Sequence, residues 1–307
     1  MTDGVLGCLI GLAVGDALGT TLEFQTPGSF APLAEMVGGG PFDLKPGQWT
    51  DDTSMALCLA ASLVETGTFD LVDQLERYSR WRRAGYMSSN GVCFDVGLTV
   101  TIALNRFRDT GDPYSGPTDA DRAGNGSIMR LAPVPMRYFR QPAEAVEKSA
   151  ESSRTTHGAQ TAVDGCRYLG ALIVGALTGA RKQELLADHF APCPDFWRSN
   201  PLTPEIDEIA KGSFRRRQPP EIRGGGYVVE SLEAALWSFH RSESFEHGCL
   251  LAVNLGGDAD TTGAVYGQLA GAFYGINGIP ARWMGKLAHL DLIYDLARKL
   301  QRQALGA

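Results

Sequence analysis

Gly257-Asp258-Ala259-Asp260-Thr261-Thr262-Gly263-Ala264-Val265-Tyr266-Gly267-Gln268-Leu269-Ala270-Gly271 joins an acidic cluster to a segment with glycine at every fourth position, continuing to Gly275. Residues four apart share one face of a helix. A glycine inside a helix costs about 1 kcal/mol relative to alanine, so such a run needs a compensating reason. Close approach of a second backbone supplies one. The matching stripe lies at the other end of the chain, as Gly7, Gly11, Gly15 and Gly19. Either these stripes are packing seams alone, or they also hold the acidic ends of both helices beside one site.

Helical periodicity extends outward from these two segments, and β-branched residues are too scattered for a central sheet. The spacing predicts helices over 3-19, 52-66, 70-83, 93-107, 142-151, 157-179, 181-188, 203-211, 228-240, 245-253, 260-275 and 280-302. Long Gly/Pro/Asp-rich loops are expected at 20-51, 84-92, 108-127, 191-202 and 212-227, and loops of that length tend to be functional. Arg215, Arg216 and Arg217 in the last of them read as a solvated turn. No composition shift marks a boundary, so the expectation is an all-α fold in a single domain, 1-307.

The chain has 307 residues with 44% hydrophobic and 21% charged, which excludes a mainly disordered protein, and its net charge of −7 disfavours a nucleic-acid groove. Cys8, Cys58, Cys93, Cys166, Cys193 and Cys249 are scattered with no CxxC pair, and are expected to be reduced and mostly buried. The start lacks the basic flank of a signal peptide. The apolar stretches Val5 to Gly15 and Tyr168 to Ala180 fall short of the roughly 20 residues needed to cross a bilayer. A cytoplasmic protein with no membrane span is expected, and nothing demands more than a monomer.

A second acidic cluster, Gln48-Trp49-Thr50-Asp51-Asp52-Thr53, opens the helix beginning near residue 52. Both clusters stand where a helix presents free N–H groups and a positive dipole end. Simple N-capping is one reading, but a cap needs one oxygen-bearing side chain and each cluster supplies two carboxylates plus hydroxyls. Four carboxylates in one pocket would need protons or hard cations, and oxygen-only donors suit Mg²⁺ or Mn²⁺. Glu23, just beyond Gly15-Asp16-Ala17-Leu18-Gly19, is either a base or merely exposed. Asp16 lies within an apolar helix and needs partners, and it could orient loop N–H groups or a metal water. Asp95 offers another acid. Gly124-Asn125-Gly126-Ser127 could cradle phosphate or ribose oxygens. His157 is a ligand contact or a structural histidine, and Tyr227, after Gly224-Gly225-Gly226, is suited to stacking or to plain packing.

Taken together, Gly15-Asp16-Ala17-Leu18-Gly19 with Glu23, Trp49-Thr50-Asp51-Asp52-Thr53, Ala123-Gly124-Asn125-Gly126-Ser127-Ile128-Met129-Arg130, Thr156-His157, Gly226-Tyr227-Val228-Val229-Glu230-Ser231-Leu232 and Gly257-Asp258-Ala259-Asp260-Thr261 resemble the ADP-ribosylglycohydrolase family. In length and motif wording the chain most resembles the bacterial branch typified by dinitrogenase-reductase-activating glycohydrolase. The motifs span nearly the whole chain in family order.

The resemblance implies a compact all-α fold with a binuclear Mg²⁺ or Mn²⁺ cleft. It assigns Thr50, Asp51, Asp52, Asp258, Asp260 and Thr261 to the metals. Glu23 and Asp95 become the catalytic acids, while Asn125, Gly126, Ser127 and His157 hold the diphosphate-ribose and Tyr227 covers the adenine. The implied reaction is hydrolysis of the N-glycosidic bond of ADP-ribosylated arginine in a protein substrate, releasing ADP-ribose. One departure stands out: relatives often carry asparagine three residues after the position of Asp95, where this chain has Leu98. That leaves ADP-ribosyl-serine or O-acetyl-ADP-ribose as alternative substrates. A silent binding protein on the same fold and an unrelated metal-dependent phosphohydrolase are the competing classes.

Overall fold

In a computed structural model of the chain, described over residues 2–306, every regular element is helical. The first helices are α1 (Thr2–Gly19), α2 (Asp51–Thr66), α3 (Leu71–Ala84), α4 (Leu98–Thr110), α5 (Pro133–Tyr138), α6 (Pro142–Arg154) and α7 (Gln160–Leu177). Four short ones follow, α8 (Lys182–Leu185), α9 (Phe196–Ser199), α10 (Pro204–Ala210) and α11 (Ser213–Arg216). The chain closes with α12 (Val228–Arg241), α13 (Phe245–Val253), α14 (Ala259–Tyr274), α15 (Ala281–Met284) and α16 (Leu290–Leu305). No strand forms among the described residues, where only two isolated bridges pair Gly39 with Leu44 and Gly124 with Tyr227.

The centre is α1 packed antiparallel on α14. A Cβ placed on Gly7, Gly11, Gly15 or Gly19 would fall inside 3.0 Å of the carbonyl oxygen of Gly271, Gly267, Gly263 or Ala259 respectively. The reverse-order pairing puts the C-terminal end of α1 beside the N-terminal end of α14. The seam therefore packs the core and also sets the acidic ends together, which is the second of the two expected readings.

α1 corrects one expectation. Asp3–Leu22 spans 20 residues at a mean hydropathy of 1.8, long and apolar enough to cross a membrane, yet 94% of it is buried inside the fold. A helix apolar on every side is what a core position requires. Around the pair stand α2, α7, α12, α13 and α16. The last of these turns Ile293, Leu296, Ala297, Leu300 and Ala304 inward at helical spacing.

Several boundaries differ from expectation for local reasons. The helix expected at 93-107 begins at Leu98, because Asp95 adopts a left-handed φ of 54° and Gly97 is the N-cap. The helix expected at 280-302 splits into α15 and α16, with His289 at φ 47° between them. α5 is an addition, opened by Pro133 in its first turn, where proline lacks no needed N–H. Arg215 and Arg216 lie within α11 and Arg217 caps its end, so the expected solvated turn is helical, and the three pair with Asp188, Glu208 and Glu233. All six cysteines are free thiols, with Cys8, Cys58, Cys166 and Cys249 buried.

Candidate active site

Each acidic helix start is capped by a residue from elsewhere. The N-cap positions of α2 and α14, Thr50 and Asp258, make no side-chain capping bond. Instead Asp16, near the C-terminal end of α1, accepts the Thr50 N–H at 2.9 Å and hydroxyl at 3.0 Å on Oδ1. Its Oδ2 accepts the Thr53 N–H at 3.0 Å and hydroxyl at 2.6 Å. Glu23 treats α14 similarly, accepting the Ala259 N–H on Oε2 at 2.8 Å. Asp51, Asp52 and Asp258 are thereby freed from capping duty, while Asp260 Oδ1 accepts the Thr261 N–H at 2.7 Å and keeps Oδ2 free.

The loop carrying Glu23 is fastened to the start of α14. Phe24 N–H donates to the Gly257 carbonyl at 2.7 Å, and Gly257 N–H donates to the Gln25 carbonyl at 2.8 Å. Gly256 and Gly257 both take φ of 70°, and a Cβ on Gly257 would strike the Gly224 carbonyl oxygen. Only glycine meets both demands there.

Two acid clusters result, Asp16/Asp52/Asp260 and Glu23/Asp258/Asp260, each with oxygens within 4.8 Å of one another. Asp260 belongs to both. Asp52 Oδ1 and Asp260 Oδ2 are buried with no hydrogen-bond partner. Orphaned buried carboxylate oxygens are costly unless protons or cations satisfy them. Oxygen-only donors fit a hard divalent cation, and a shared carboxylate between two clusters fits a binuclear site.

Electrostatics point the same way. Burial, reinforced by the neighbouring carboxylates, pushes the Asp51, Asp52 and Asp260 carboxyls well above the usual range. Burial and then the Asp258 charge raise Glu23 to about 8 and Asp95 to about 7. Asp16 reaches about 6, as burial outweighs its four hydrogen bonds.

A cavity of about 220 Å³ opens over these acids. Glu23, Asp51, Asp95, Asn125, Gly126, His157, Asp258, Asp260 and Thr261 line it, together with Leu98 at 65% exposure. Thr50 and Asp52 lie buried outside the lining, with the Thr50 hydroxyl 3.1 Å from Asp52 Oδ2. Asn125 reaches across the site and donates to Asp258 Oδ2 and to the Ser231 hydroxyl, both at 2.9 Å.

Two expected contacts are not brought in. The Ser127 hydroxyl turns into the core, pairing with the Ser153 hydroxyl at 2.9 Å and accepting from the Cys166 thiol at 3.4 Å. Tyr227, 38% exposed, is outside the cavity lining, while the backbone around it pairs with the 123–125 loop through Asn125 N–H to Gly226 O and Val228 N–H to Ala123 O. Asp16 meets the loop N–H partners expected of it, and it and Glu23 also join the acid clusters by their own oxygens. In the other direction, the sequence passed over Arg130, wholly buried behind the Asn125-Gly126 turn. A charged residue between Ile128-Met129 and Leu131-Ala132 was the available signal.

Comparison with known proteins agrees with this geometry. A match to the ADP-ribosylglycohydrolase family spans residues 1–306. "ADP-ribosylarginine hydrolase Tri1" of Serratia proteamaculans is 40% identical, over 97% of this chain and 79% of the relative. The Pseudomonas putida protein of the same name is 44% identical, over 97% and 78%. A solved chain titled "ADP-ribosylglycohydrolase-related protein complex" superposes with a TM-score of 0.86 at 45% identity, covering 99% of this chain and 98% of the other. The "ADP-ribosyl-[dinitrogen reductase] glycohydrolase" of Rhodospirillum rubrum matches at only 35%. The expected placement in that branch is thus corrected, because the Tri1 sequences are the more similar ones. The motifs that carried the resemblance did not separate these branches. With the helical fold, the doubled acid cluster and matches that run nearly end to end, the chain belongs to the ADP-ribosylglycohydrolase family.

Proposed function

We propose that this protein hydrolyses the N-glycosidic bond of ADP-ribosylated arginine on a protein substrate, releasing ADP-ribose with the help of two divalent cations. The observation that carries the reading is Asp260 shared between two acid clusters, with an unpartnered oxygen of its own and another on Asp52. The similarity to proteins named ADP-ribosylarginine hydrolase supports the acceptor.

Asp52 and Asp260 would hold one cation and Asp258 and Asp260 the other, with Thr50, Asp51, Thr261 and the catalytic Glu23 adjoining. Mg²⁺ or Mn²⁺ suits this donor set. The bound pair supplies Lewis acidity and neutralises the clustered charge. Among the chain's own groups, Glu23 and Asp95 are the cavity acids placed to move protons, and in the cation-free protein burial and then the Asp258 charge hold both above the usual carboxylate range. Glu23 Oε2 is occupied by the Ala259 N–H, which leaves Oε1 to accept a proton from the attacking water. Asp95, on its left-handed turn, delivers a proton to the departing guanidine nitrogen. Asn125 orients Asp258, and Gly126 and His157 line the path of the diphosphate-ribose. The setting we propose is the reducing cytoplasm, which six unpaired cysteines support.

Leu98 favours a second reading, ADP-ribosyl-serine or O-acetyl-ADP-ribose, since an exposed apolar side chain stands at the cavity where a polar contact was expected. The test is mass-spectrometric product release from matched arginine- and serine-ADP-ribosylated peptides and from O-acetyl-ADP-ribose, using chelator-stripped protein with Mg²⁺ or Mn²⁺ restored separately. Cation-dependent release of ADP-ribose from arginine alone is expected. Turnover of serine or O-acetyl substrates alone would replace the acceptor, and inactivity on all would remove the hydrolase reading.

A further inference from the structure

Arg130 has no exposed surface and does not line the cavity, yet three parts of the site's scaffold depend on it. One guanidinium nitrogen donates to the Gly126 carbonyl at 2.8 Å. The other donates to the Thr156 hydroxyl at 2.7 Å and reaches the Thr155 hydroxyl at 3.2 Å. The guanidinium also stacks 4.6 Å from the Tyr78 ring centroid. Arginine is a permanent donor and never an acceptor. The Thr156 oxygen is therefore always filled from the Arg130 side, and its single proton must point elsewhere.

That proton has one acceptor within reach among the described residues, His157 Nδ1 at 2.9 Å. If Nδ1 accepts, the ring proton of a neutral imidazole sits on Nε2. Burial, and then the Arg130 charge, lower the His157 pKa to about 3, so the ring is neutral. The Nε2 edge faces the glycines of the cavity wall: a Cβ on Gly126 would stand 3.1 Å from Nε2, and one on Gly124 3.5 Å. Nε2 has no hydrogen-bond partner among the described residues.

We propose that Arg130 is a positioning residue that acts through Thr156, fixing His157 in the Nε2–H tautomer so that the cavity wall at Gly124 and Gly126 offers a donor to a ligand oxygen. The naming of that oxygen as a phosphate or ribose oxygen of ADP-ribose rests on the function proposed above. A neutral donor has an advantage here over lysine or imidazolium, because it adds no positive charge to a cavity whose acids are arranged for cations. The opposite tautomer would present a lone pair and repel an acceptor oxygen.

The test reads the tautomer directly, by long-range ¹H–¹⁵N correlation on the Mg²⁺-loaded full chain, with His157 assigned through His157→Gln. Wild type and Thr156→Ser are expected to show Nε2–H. Thr156→Val is expected to show a mixture or Nδ1–H, and to bind ADP-ribose about tenfold more weakly by calorimetry, the loss of roughly one hydrogen bond. Its Mg²⁺ affinity is expected to be unchanged. An Nδ1–H signal in the wild type would overturn the proposal without any variant being needed. So would a Thr156→Val protein that keeps both the Nε2–H signal and full affinity. A wild type that shows Nε2–H but binds no ADP-ribose would support the positioning role while removing the substrate reading.

Discussion

Asp16 and Thr53 meet through two hydrogen bonds to a single carboxylate oxygen, from the N–H at 3.0 Å and from the hydroxyl at 2.6 Å, across 37 positions of sequence. This external cap is why Asp51 remains available to the cavity and Asp52 to the acid cluster it shares with Asp260. Asparagine at position 16 keeps one acceptor and turns an amide donor toward N–H and O–H groups. Asp16→Asn is therefore expected to lose about 2–4 kcal/mol of stability and to bind Mn²⁺ more weakly. Thermal melts and calorimetric Mn²⁺ titration check both, and a variant matching wild type in each would remove the capping role.

Asp260 is expected to behave differently. Burial and neighbouring charge already favour its neutral form in the metal-free protein, and asparagine imitates that form. Asp260→Asn should leave the melting temperature of the chelated protein unchanged or raise it, while abolishing the rise that Mg²⁺ or Mn²⁺ produces. Turnover should fall by about 10²-fold or more, the scale for losing one preorganised charge-stabilising group. Unchanged turnover and metal content in this variant would sink the two-cluster site.

The raised acids give a signed pH dependence. Glu23 at about 8 and Asp95 at about 7 lie above their ordinary 4.5 and 3.8, so the folded chelated protein holds more protons than the unfolded chain between those limits. Stability then falls as pH rises through that window, being fully present below the ordinary values and lost by the time Glu23 ionises. Scanning fluorimetry in chelator should show a lower melting temperature at pH 8.5 than at pH 5. Divalent cations replace the protons, so the rise they produce should be larger at pH 8.5, and the reverse order would contradict the assignment.

The helix seam predicts a contrast between two glycines. Gly15→Ala thrusts a methyl group into the Gly263 backbone and should cost about 1–3 kcal/mol, as overpacking does. Gly97 has a negative φ and open space around its absent Cβ, so Gly97→Ala should stay within about 0.5 kcal/mol. Denaturant melts of the pair decide it.

Leu98 offers a test of selectivity with little structural risk, because its side chain is 65% exposed. Leu98→Asn should change the ratio of arginine to serine turnover and leave Mg²⁺ affinity as it was. A ratio equal to wild type would remove Leu98 from acceptor choice.

Helix content was legible because glycine and apolar periodicity are local properties. The stripes at Gly7 to Gly19 and Gly263 to Gly275 even disclosed which helices approach closely, since few other partners tolerate so little side chain. The acidic helix starts were legible by the same local logic. Capping from a distance was legible only in part: Asp16, buried in an apolar helix, was expected to take loop N–H groups, but which loop it reaches, and Glu23's hold on Ala259, depend on chain reversals that no spacing reveals. Ser127 turned inward, where its hydroxyl pairs with the buried Ser153 hydroxyl and accepts from the Cys166 thiol. The start of α4 moved because Asp95 occupies a left-handed backbone conformation, which aspartate tolerates better than most residues do. The branch within the family was equally out of reach, since it was decided by similarity along the whole chain and not by the short motifs.

The seam also orders events in time. Gly15 and Gly263 touch, yet about 250 residues separate them, which a ribosome working at about 5–20 residues per second needs roughly 12–50 s to synthesise. During that interval the apolar surface of α1 and the carboxylates of α2 wait without their partner. Neither the buried core nor the doubled acid site can be completed until α14 has emerged. The nascent chain thus spends most of its synthesis with its most hydrophobic helix unprotected, the condition under which chaperone dependence and sensitivity to late truncation are greatest.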